Sequence, residues 1–225
     1  MLLFYSIKKY NRMFNNRKLN NNDITHHIND IIIQKNSQNN SIELYDDLPD
    51  AICIEGSETI HKWFKEQNVI HRENGPAIIT YENDKIKSEE WYDNGNGPYR
   101  AKYYKNGILY YEQFYEGGKI HRKDGPAFIQ YYENGSIAYN YFYENGKYRK
   151  DGPGIIGYYG NGSIAYEIWY DNDKYHRKGG PAKIDYYRNG QVKLEYWYEN
   201  GEYRKDGPVI ISYYEDGRII YKSNV

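Results

Sequence analysis

Residues 180–206 read GPAKIDYYRNGQVKLEYWYENGEYRKD, and this stretch decides the fold. Two runs rich in Ile, Val, Tyr and Trp flank Asn189-Gly190, and Asn200-Gly201 closes the second run. Asn-Gly is typical of a two-residue type I′ turn, in which both central residues have positive φ and the backbone twist matches an antiparallel hairpin. The stretch therefore predicts a β-hairpin.

The same stretch recurs along most of the chain. Gly-Pro dipeptides follow one another at steps of 22, 28, 27, 28 and 27 residues, with the prolines at Pro76, Pro98, Pro126, Pro153, Pro181 and Pro208. An aromatic pair recurs in the same frame, and its first members are Trp63, Trp91, Phe114, Phe142, Trp169 and Trp197. Because two independent markers share one period and one short step, the sequence indicates a tandem repeat.

The repeat predicts an all-β fold, an elongated and twisted antiparallel meander of tandem β-hairpins of about 27–28 residues each. The repeat domain is expected over 41–225, and its units are the half-unit 53–74, the units 75–96, 97–124, 125–151, 152–179 and 180–206, and the terminal half-unit 207–225. Residues 1–40 lack the repeat, are rich in Asn and carry more Lys and Arg than Asp. They are expected to form a short basic arm that is disordered or helical.

The linker between units reads Arg-Lys-Asp-Gly-Pro or a variant of it. Its arginine and aspartate predict a charge-assisted hydrogen bond that fixes the turn. Alternation along the second strand places Leu194 and Tyr196 on one face, which is the expected core side, and Glu195 and Trp197 on the other.

One aromatic row is the predicted partner-binding site. Large aromatic residues among charged ones bring contact area with a polar handle and are enriched in binding hot spots. The row consists of Trp91, Phe114, Phe142, Trp169 and Trp197. The alternative is that these rings only pack across the strands of a thin sheet.

The remaining composition limits the function. The net charge of −1 gives no electrostatic attraction to nucleic acid, and the single cysteine, Cys53, leaves no disulfide framework. A short apolar start without a cleavage site and the lack of a long apolar run predict a cytoplasmic protein. The recurring His71, His121 and His176 belong to different units, so no shared metal ion is expected. Because every polar motif is multiplied, no catalytic residue and no cofactor is predicted.

The pattern Tyr-Tyr-x-Asn-Gly-x-Ile/Val-x-x-Glu-x-Trp-Tyr-x-Asn-Gly-Lys resembles the MORN-like hairpin repeat, in particular the variant found in YwqK-type antitoxin proteins. The longer form with His-Arg-Lys-Asp-Gly-Pro-Ala is similar to uncharacterised repeat proteins of large DNA viruses, which would place the chain in a host cytoplasm. The resemblance covers about 53–225, although this chain carries an extra Arg-Lys-Asp segment. Such repeats serve as scaffolds, membrane-associated modules and dimerisation rods.

Function is therefore expected to be that of a non-catalytic scaffold mediating protein–protein interaction or assembly. The alternatives are an antitoxin-like inhibitor that sequesters a partner protein and a carbohydrate-binding repeat module. The expected partners are a protein of unknown identity and a second copy paired through edge strands. A minor alternative is a membrane contact through the apolar residues between Leu3 and Phe14.

Overall fold

The computed structural model describes residues 49–55, 57–66 and 69–224, and the predicted arm 1–40 lies outside the described residues. Two compact units divide the chain, Met1–Ile52 and Cys53–Val225, and the second contains the repeats. Within the described residues every regular element is a β-strand. The expected all-β class is confirmed.

The strands are short and numerous. In chain order they are β1 (Ala51–Glu55), β2 (Glu58–Lys62), β3 (Phe64–Glu66), β4 (Val69–Ile70), β5 (Ile78–Glu82), β6 (Lys85–Tyr92), β7 (Pro98–Lys105), β8 (Ile108–Glu116), β9 (Lys119–Ile120), β10 (Phe128–Tyr131), β11 (Ile137–Tyr141), β12 (Tyr143–Glu144), β13 (Lys147–Tyr148), β14 (Ile155–Tyr158), β15 (Ile164–Ile168), β16 (Tyr170–Asp171), β17 (Lys174–Tyr175), β18 (Lys183–Tyr186), β19 (Val192–Tyr196), β20 (Tyr198–Glu199), β21 (Glu202–Tyr203), β22 (Ile210–Tyr213) and β23 (Ile219–Ser223).

One large sheet joins the repeats. Its strands follow the order β1-β2-β5-β6-β7-β8-β10-β11-β14-β15-β18-β19-β22-β23, so each strand lies beside the next main strand of the chain. The pairings from β2 to β23 are antiparallel. This order confirms the predicted antiparallel meander.

Five of the main hairpins in the described residues are followed by a second, smaller hairpin that we call an arm, whereas β6 leads directly into β7. The arms pair β3 with β4, the end of β8 with β9, β12 with β13, β16 with β17, and β20 with β21. They cover 64–70, 115–120, 143–148, 170–175 and 198–203. A regular repeat is therefore two hairpins, a main one in the large sheet and an arm that follows its second strand.

The turns are of two kinds, and the type I′ prediction holds for only one of them. Both central residues have positive φ in the arm turns Asn145-Gly146 and Asn200-Gly201, as a type I′ turn requires. Among the main hairpins, Asn106-Gly107 between β7 and β8 also has two positive φ values. At Asn161-Gly162 and Asn189-Gly190 only the glycine has positive φ, so the prediction was wrong there. These loops are longer than two residues. In the β14–β15 loop Gly162 donates its N–H to the Tyr159 carbonyl at 2.8 Å, and the strand register shifts by one residue beside the loop. A longer loop needs only one left-handed residue.

Burial is deeper on the face opposite to the one expected from the sequence. Ile184 and Ile211, which lie directly beside Glu195, are 7% and 8% exposed, whereas Leu194 and Tyr196 are half-buried. The linkers cause the difference, because each folds back toward the face that carries the row of Trp and Phe side chains. The expected core side is thus the more accessible side of the sheet.

Candidate functional site

The predicted aromatic row lies where each second strand meets its arm. Phe142, Trp169 and Trp197 fall in the one-residue gap between the two hairpins, while Trp91 and Phe114 lie within β6 and β8. The backbone of this residue serves both hairpins. Its N–H donates to the next repeat, as from Trp169 to Ala182 at 2.7 Å, and its carbonyl accepts from the end of the arm, as from His176 at 3.2 Å.

An arginine covers one ring face of each regular member of the row. The guanidinium carbon lies 4.0, 3.7, 3.9 and 3.8 Å from the ring centroids in the pairs Arg122–Phe114, Arg149–Phe142, Arg177–Trp169 and Arg204–Trp197. Trp91 belongs to the repeat without a full linker, and its nearest cations are farther away, Arg100 at 5.0 Å and Lys102 at 5.2 Å. The stacking is a cation–π contact that recurs in every full repeat.

These arginines do not make the predicted bond to aspartate. Arg149 and Arg204 donate Nε–H to the carbonyls of Pro153 and Pro208, at 2.8 and 2.7 Å. Because the ring lies on one side of the guanidinium and the proline carbonyl lies in its plane, the side chain closes the linker by itself. Glycine before the proline makes room for it, since a Cβ at position 152 would lie 2.8 Å from the Arg149 guanidinium carbon.

The row is therefore only partly accessible. Trp91 is buried at 7% exposure and the other four residues are half-buried. The partner-binding role stays a prediction. The arginine contacts support the alternative, in which these rings only pack within the protein. The structure brings the five residues into equivalent positions in successive repeats but does not place them against one another.

The recurring histidines connect the end of an arm to a turn of the next repeat. Nδ1 of His71, His121 and His176 accepts the N–H of Asn94, Asn145 and Asn200, at 3.3, 3.1 and 3.4 Å. Across the part of the chain that the structure describes, no group of three or more His, Cys, Asp or Glu side chains could hold a metal ion.

Tyrosine–glutamate pairs lie on the more buried face. Tyr131 donates its hydroxyl to Glu112 at 2.6 Å and Tyr186 donates to Glu167 at 2.7 Å. Burial and these hydrogen bonds raise the pKa of Tyr131 and of Tyr186 above the ordinary value. The same pairing joins Tyr213 to Glu195 at 3.1 Å, so it recurs along the sheet.

The feature that sequence reasoning missed is a continuous series of aromatic rings in contact, five of whose nine contacts are stacked and the others tilted or edge-on, which we call the tyrosine ladder. Its centroid separations, in order, are 4.5, 5.3, 5.0, 6.5, 4.7, 4.1, 5.3, 5.4 and 4.6 Å. The rings belong to Tyr103, Tyr111, Phe128, Tyr141, Tyr143, Tyr148, Tyr170, Tyr175, Tyr198 and Tyr203. The sequence did carry a signal for the ladder, because three arms begin and end with Tyr. In the first of them Tyr143 and Tyr148 lie opposite each other across the two strands.

Close packing and partial exposure distinguish the ladder. Gly154 lies where Tyr148 and Tyr170 approach to 4.1 Å, and a Cβ there would come within 2.9 Å of both rings. Burial raises the pKa of Tyr143 and Tyr170, and the neighbouring phenols add to the effect. None of the rings is fully buried, and Tyr175 and Tyr203 are 36% and 41% exposed. A half-exposed surface of this kind offers apolar area together with hydroxyl groups.

The edge strand β23 is the other accessible apolar element. Ile219, Ile220 and Tyr221 are 48%, 49% and 56% exposed. Pairing with a second copy through this strand stays a prediction. In the described residues no helix combines the length and hydrophobicity that a membrane crossing demands.

Comparisons with known proteins add no family. No family model matches the chain and no curated protein matches it. A solved structure titled "Crystal structure of GtfA/B complex" is similar at 16% identity with a TM-score of 0.17, over 45% of this chain and 19% of that chain. That TM-score is too low to show a common fold.

Proposed function

We propose that the chain is a non-catalytic repeat scaffold that binds a protein partner along the tyrosine ladder. The observation that carries the proposal is the unbroken ring-to-ring contact from Tyr103 to Tyr203, across successive repeats and on an accessible surface. Rings that are held by their neighbours lose little further side-chain freedom when a partner binds, which favours binding.

The chemistry of the ladder suits a protein surface. Tyrosine is enriched in binding hot spots because it combines a large apolar area with a hydroxyl that can donate or accept a hydrogen bond. Since five of the nine ring contacts are stacked and the others are tilted or edge-on, a partner meets ring edges and hydroxyl groups as well as ring faces. Such a surface fits a partner that supplies backbone carbonyls and flat apolar side chains.

The polar groups support a structural role for the rest of each repeat. The arginines bind proline carbonyls, the histidines accept from a turn of the next repeat, and the glutamates of the second strands accept from tyrosines. Each group has the same partner in repeat after repeat, which is typical of a scaffold. The resemblance to MORN-like repeats supports the same role, because such repeats serve as scaffolds.

A comparison of matched variants tests the proposal. The ladder variant changes Tyr175→Lys and Tyr203→Lys, the two most exposed rings of the ladder, at 36% and 41%. The control changes Tyr99→Lys and Tyr214→Lys, which lie outside the ladder and are 47% and 49% exposed. Proteins captured from the native cell by the unmodified chain should be lost by the ladder variant and kept by the control.

The loss should amount to about 2–4 kcal/mol of binding free energy for the purified partner, the range of hot-spot residues. Both variants should stay folded at the temperature of the capture experiment. The ladder variant should melt at a lower temperature than the control, because it loses ring contacts of Tyr175 and Tyr203 that contribute about 0.5–1.5 kcal/mol each. Equal capture by the ladder variant and the control would contradict the proposal.

A further inference from the structure

Along the described sheet, the main hairpins up to β8 have a shorter turn than the main hairpins after it. The β7–β8 hairpin turns through Asn106-Gly107, both with positive φ, and its loop reads Tyr104-Lys105-Asn106-Gly107. The next hairpin carries the same motif, Tyr131-Tyr132-Glu133-Asn134-Gly135, but its register differs. Five residues lie between the paired Tyr131 and Ile137, whereas four lie between the paired Tyr104 and Leu109. The three later hairpins keep the longer loop, and the first loop residue in the four hairpins after β8 is Tyr132, Tyr159, Tyr187 or Tyr214.

Where another repeat follows, the loop tyrosine connects its own repeat to the next one. Its hydroxyl donates to the carbonyl of the last residue in the first strand of the next repeat. The bonds run from Tyr132 to Tyr158, from Tyr159 to Tyr186 and from Tyr187 to Tyr213, at 2.6, 2.7 and 2.7 Å. Register identifies Tyr131 as the equivalent acceptor one repeat earlier, since it lies opposite Ile137 as Tyr158 lies opposite Ile164. Among the described residues no tyrosine hydroxyl reaches the Tyr131 carbonyl. Tyr104 of the shorter loop is paired within β7 opposite Leu109, and its hydroxyl donates to Glu89.

A groove of about 460 Å³ lies at this junction, between residues 105–110 and residues 130–133. Its volume is within the usual range for ligand sites. Tyr110 stands at the bulge position that Ala138 occupies in the next repeat, but its hydroxyl accepts from the Gln130 amide at 3.2 Å. With 41% of its surface exposed, Tyr110 borders the groove and does not fill it.

We propose that this groove binds a tyrosine side chain of a polypeptide partner, with the phenol hydroxyl donating to the Tyr131 carbonyl. The occupant would take the place that Tyr132, Tyr159 and Tyr187 take in the following junctions. The groove can also hold the peptide on either side of the ring, because Lys105 and Glu133 bring opposite charges and Asn106 brings an amide. The inference rests on the proposed function in one respect, which is that the phenol belongs to a protein partner.

Titration with N-acetyl-L-tyrosine amide, followed by the backbone amide signals of the full chain in NMR, tests the groove directly. We expect saturable shifts confined to residues 105–110 and 130–133, with one binding site per chain. N-acetyl-L-phenylalanine amide should bind roughly 3- to 10-fold more weakly, which is the effect of one neutral hydrogen bond. p-Cresol should also bind more weakly, because it lacks the peptide groups that Lys105 and Glu133 would contact.

Two variants should abolish the binding. One inserts a tyrosine between Tyr104 and Lys105, which restores the longer loop, and the other is Ile108→Trp, which fills the groove without a change of loop length. Tyr214→Ala is the matched control, because Tyr214 is an exposed tyrosine of a different repeat, and it should bind the probe as the unmodified chain does. If the insertion fails to fold, Ile108→Trp alone decides.

Shifts that do not saturate or that spread over all repeats would overturn the inference, as would unchanged binding in a native-like Ile108→Trp variant. Equal affinity for p-cresol and the tyrosine amide would overturn the assignment to a polypeptide. Failure of the proposed function is distinguishable, because it appears as unchanged capture by the ladder variant and leaves the probe titration unaffected.

Discussion

At the scale of single residues, the linker arginine explains most of the local sequence. It stacks on a Trp or Phe ring, and at Arg149 and Arg204 its Nε–H also donates to a proline carbonyl four residues later. A planar guanidinium can do both at once, whereas an ammonium group cannot stack as a plane. The glycine before the proline follows from the same contact, since at position 207 a Cβ would lie 3.1 Å from the Arg204 guanidinium and φ is +121°.

Substituting Arg204→Lys tests this account. We expect the free energy of unfolding to fall by about 1–2 kcal/mol, because the variant loses a stacked cation and a hydrogen bond while the charge remains. Urea denaturation measures the change. Arg188→Lys is the control, since the exposed Arg188 lies 5.4 Å from the Tyr159 ring, and it should change stability by less than about 0.5 kcal/mol. Equal effects of the two substitutions would contradict a special role for the linker arginine.

At the scale of elements, the arm is as regular as the main hairpin. Arms bind the following turn through the backbone. The N–H groups of Gly95 in the β6–β7 turn and of Gly146 and Gly201 in arm turns donate to the carbonyls of Ile70, Ile120 and Tyr175, at 2.9, 2.9 and 3.0 Å. The Trp or Phe at the start of each arm lies where the main strand ends, and its backbone bonds hold both hairpins. The arm therefore depends on that junction, both through the backbone and through the stacked arginine.

Trp169→Ala combined with Trp197→Ala distinguishes packing from binding at this junction. Because an arginine covers each ring and both rings are half-buried, we expect a lower melting temperature and a loss approaching about 3–5 kcal/mol for each ring. Circular dichroism melting measures it, with Tyr99→Ala plus Tyr214→Ala as a control at exposed sites. An unchanged melting temperature together with about 2–4 kcal/mol weaker partner binding would instead support the predicted binding strip.

At the scale of the whole repeat domain, the many partly buried phenols act together. Burial, with help from Glu89 at Tyr81 and from Tyr115 at Tyr103, raises the pKa of Tyr81 and Tyr103 to about 12 from the ordinary 10. The folded state therefore keeps these protons at pH values where the unfolded chain has lost them. The free energy of unfolding therefore falls as the pH rises, because the phenols of the unfolded chain ionise more readily than the partly buried ones of the folded chain.

We expect stability to be constant with respect to these tyrosines below pH 10 and to fall as the pH rises from 10 through about 12. Urea denaturation at a series of alkaline pH values measures the fall, and ultraviolet absorbance of phenolate follows the ionisation itself. Tyr103→Phe removes one such group and should make the fall shallower. Stability that stays constant up to pH 12 would contradict the raised pKa values.

The repeat, the all-β class and the meander order follow from the sequence alone, because alternation and turn chemistry act over a few residues and the repeat fixes which strands are neighbours. Turn type was only half predictable, since the same Asn-Gly fits a two-residue loop at Asn200-Gly201 and a longer one at Asn189-Gly190. The tyrosine ladder, the arginine stacks and the groove beside Tyr110 were decided by tertiary structure. Tyr148 and Tyr170 belong to different repeats, and only the lateral placement of one arm against the next brings their rings to 4.1 Å. The buried face was decided in the same way, because the linkers fold back over one side of a sheet whose two sides both carry large aromatic residues.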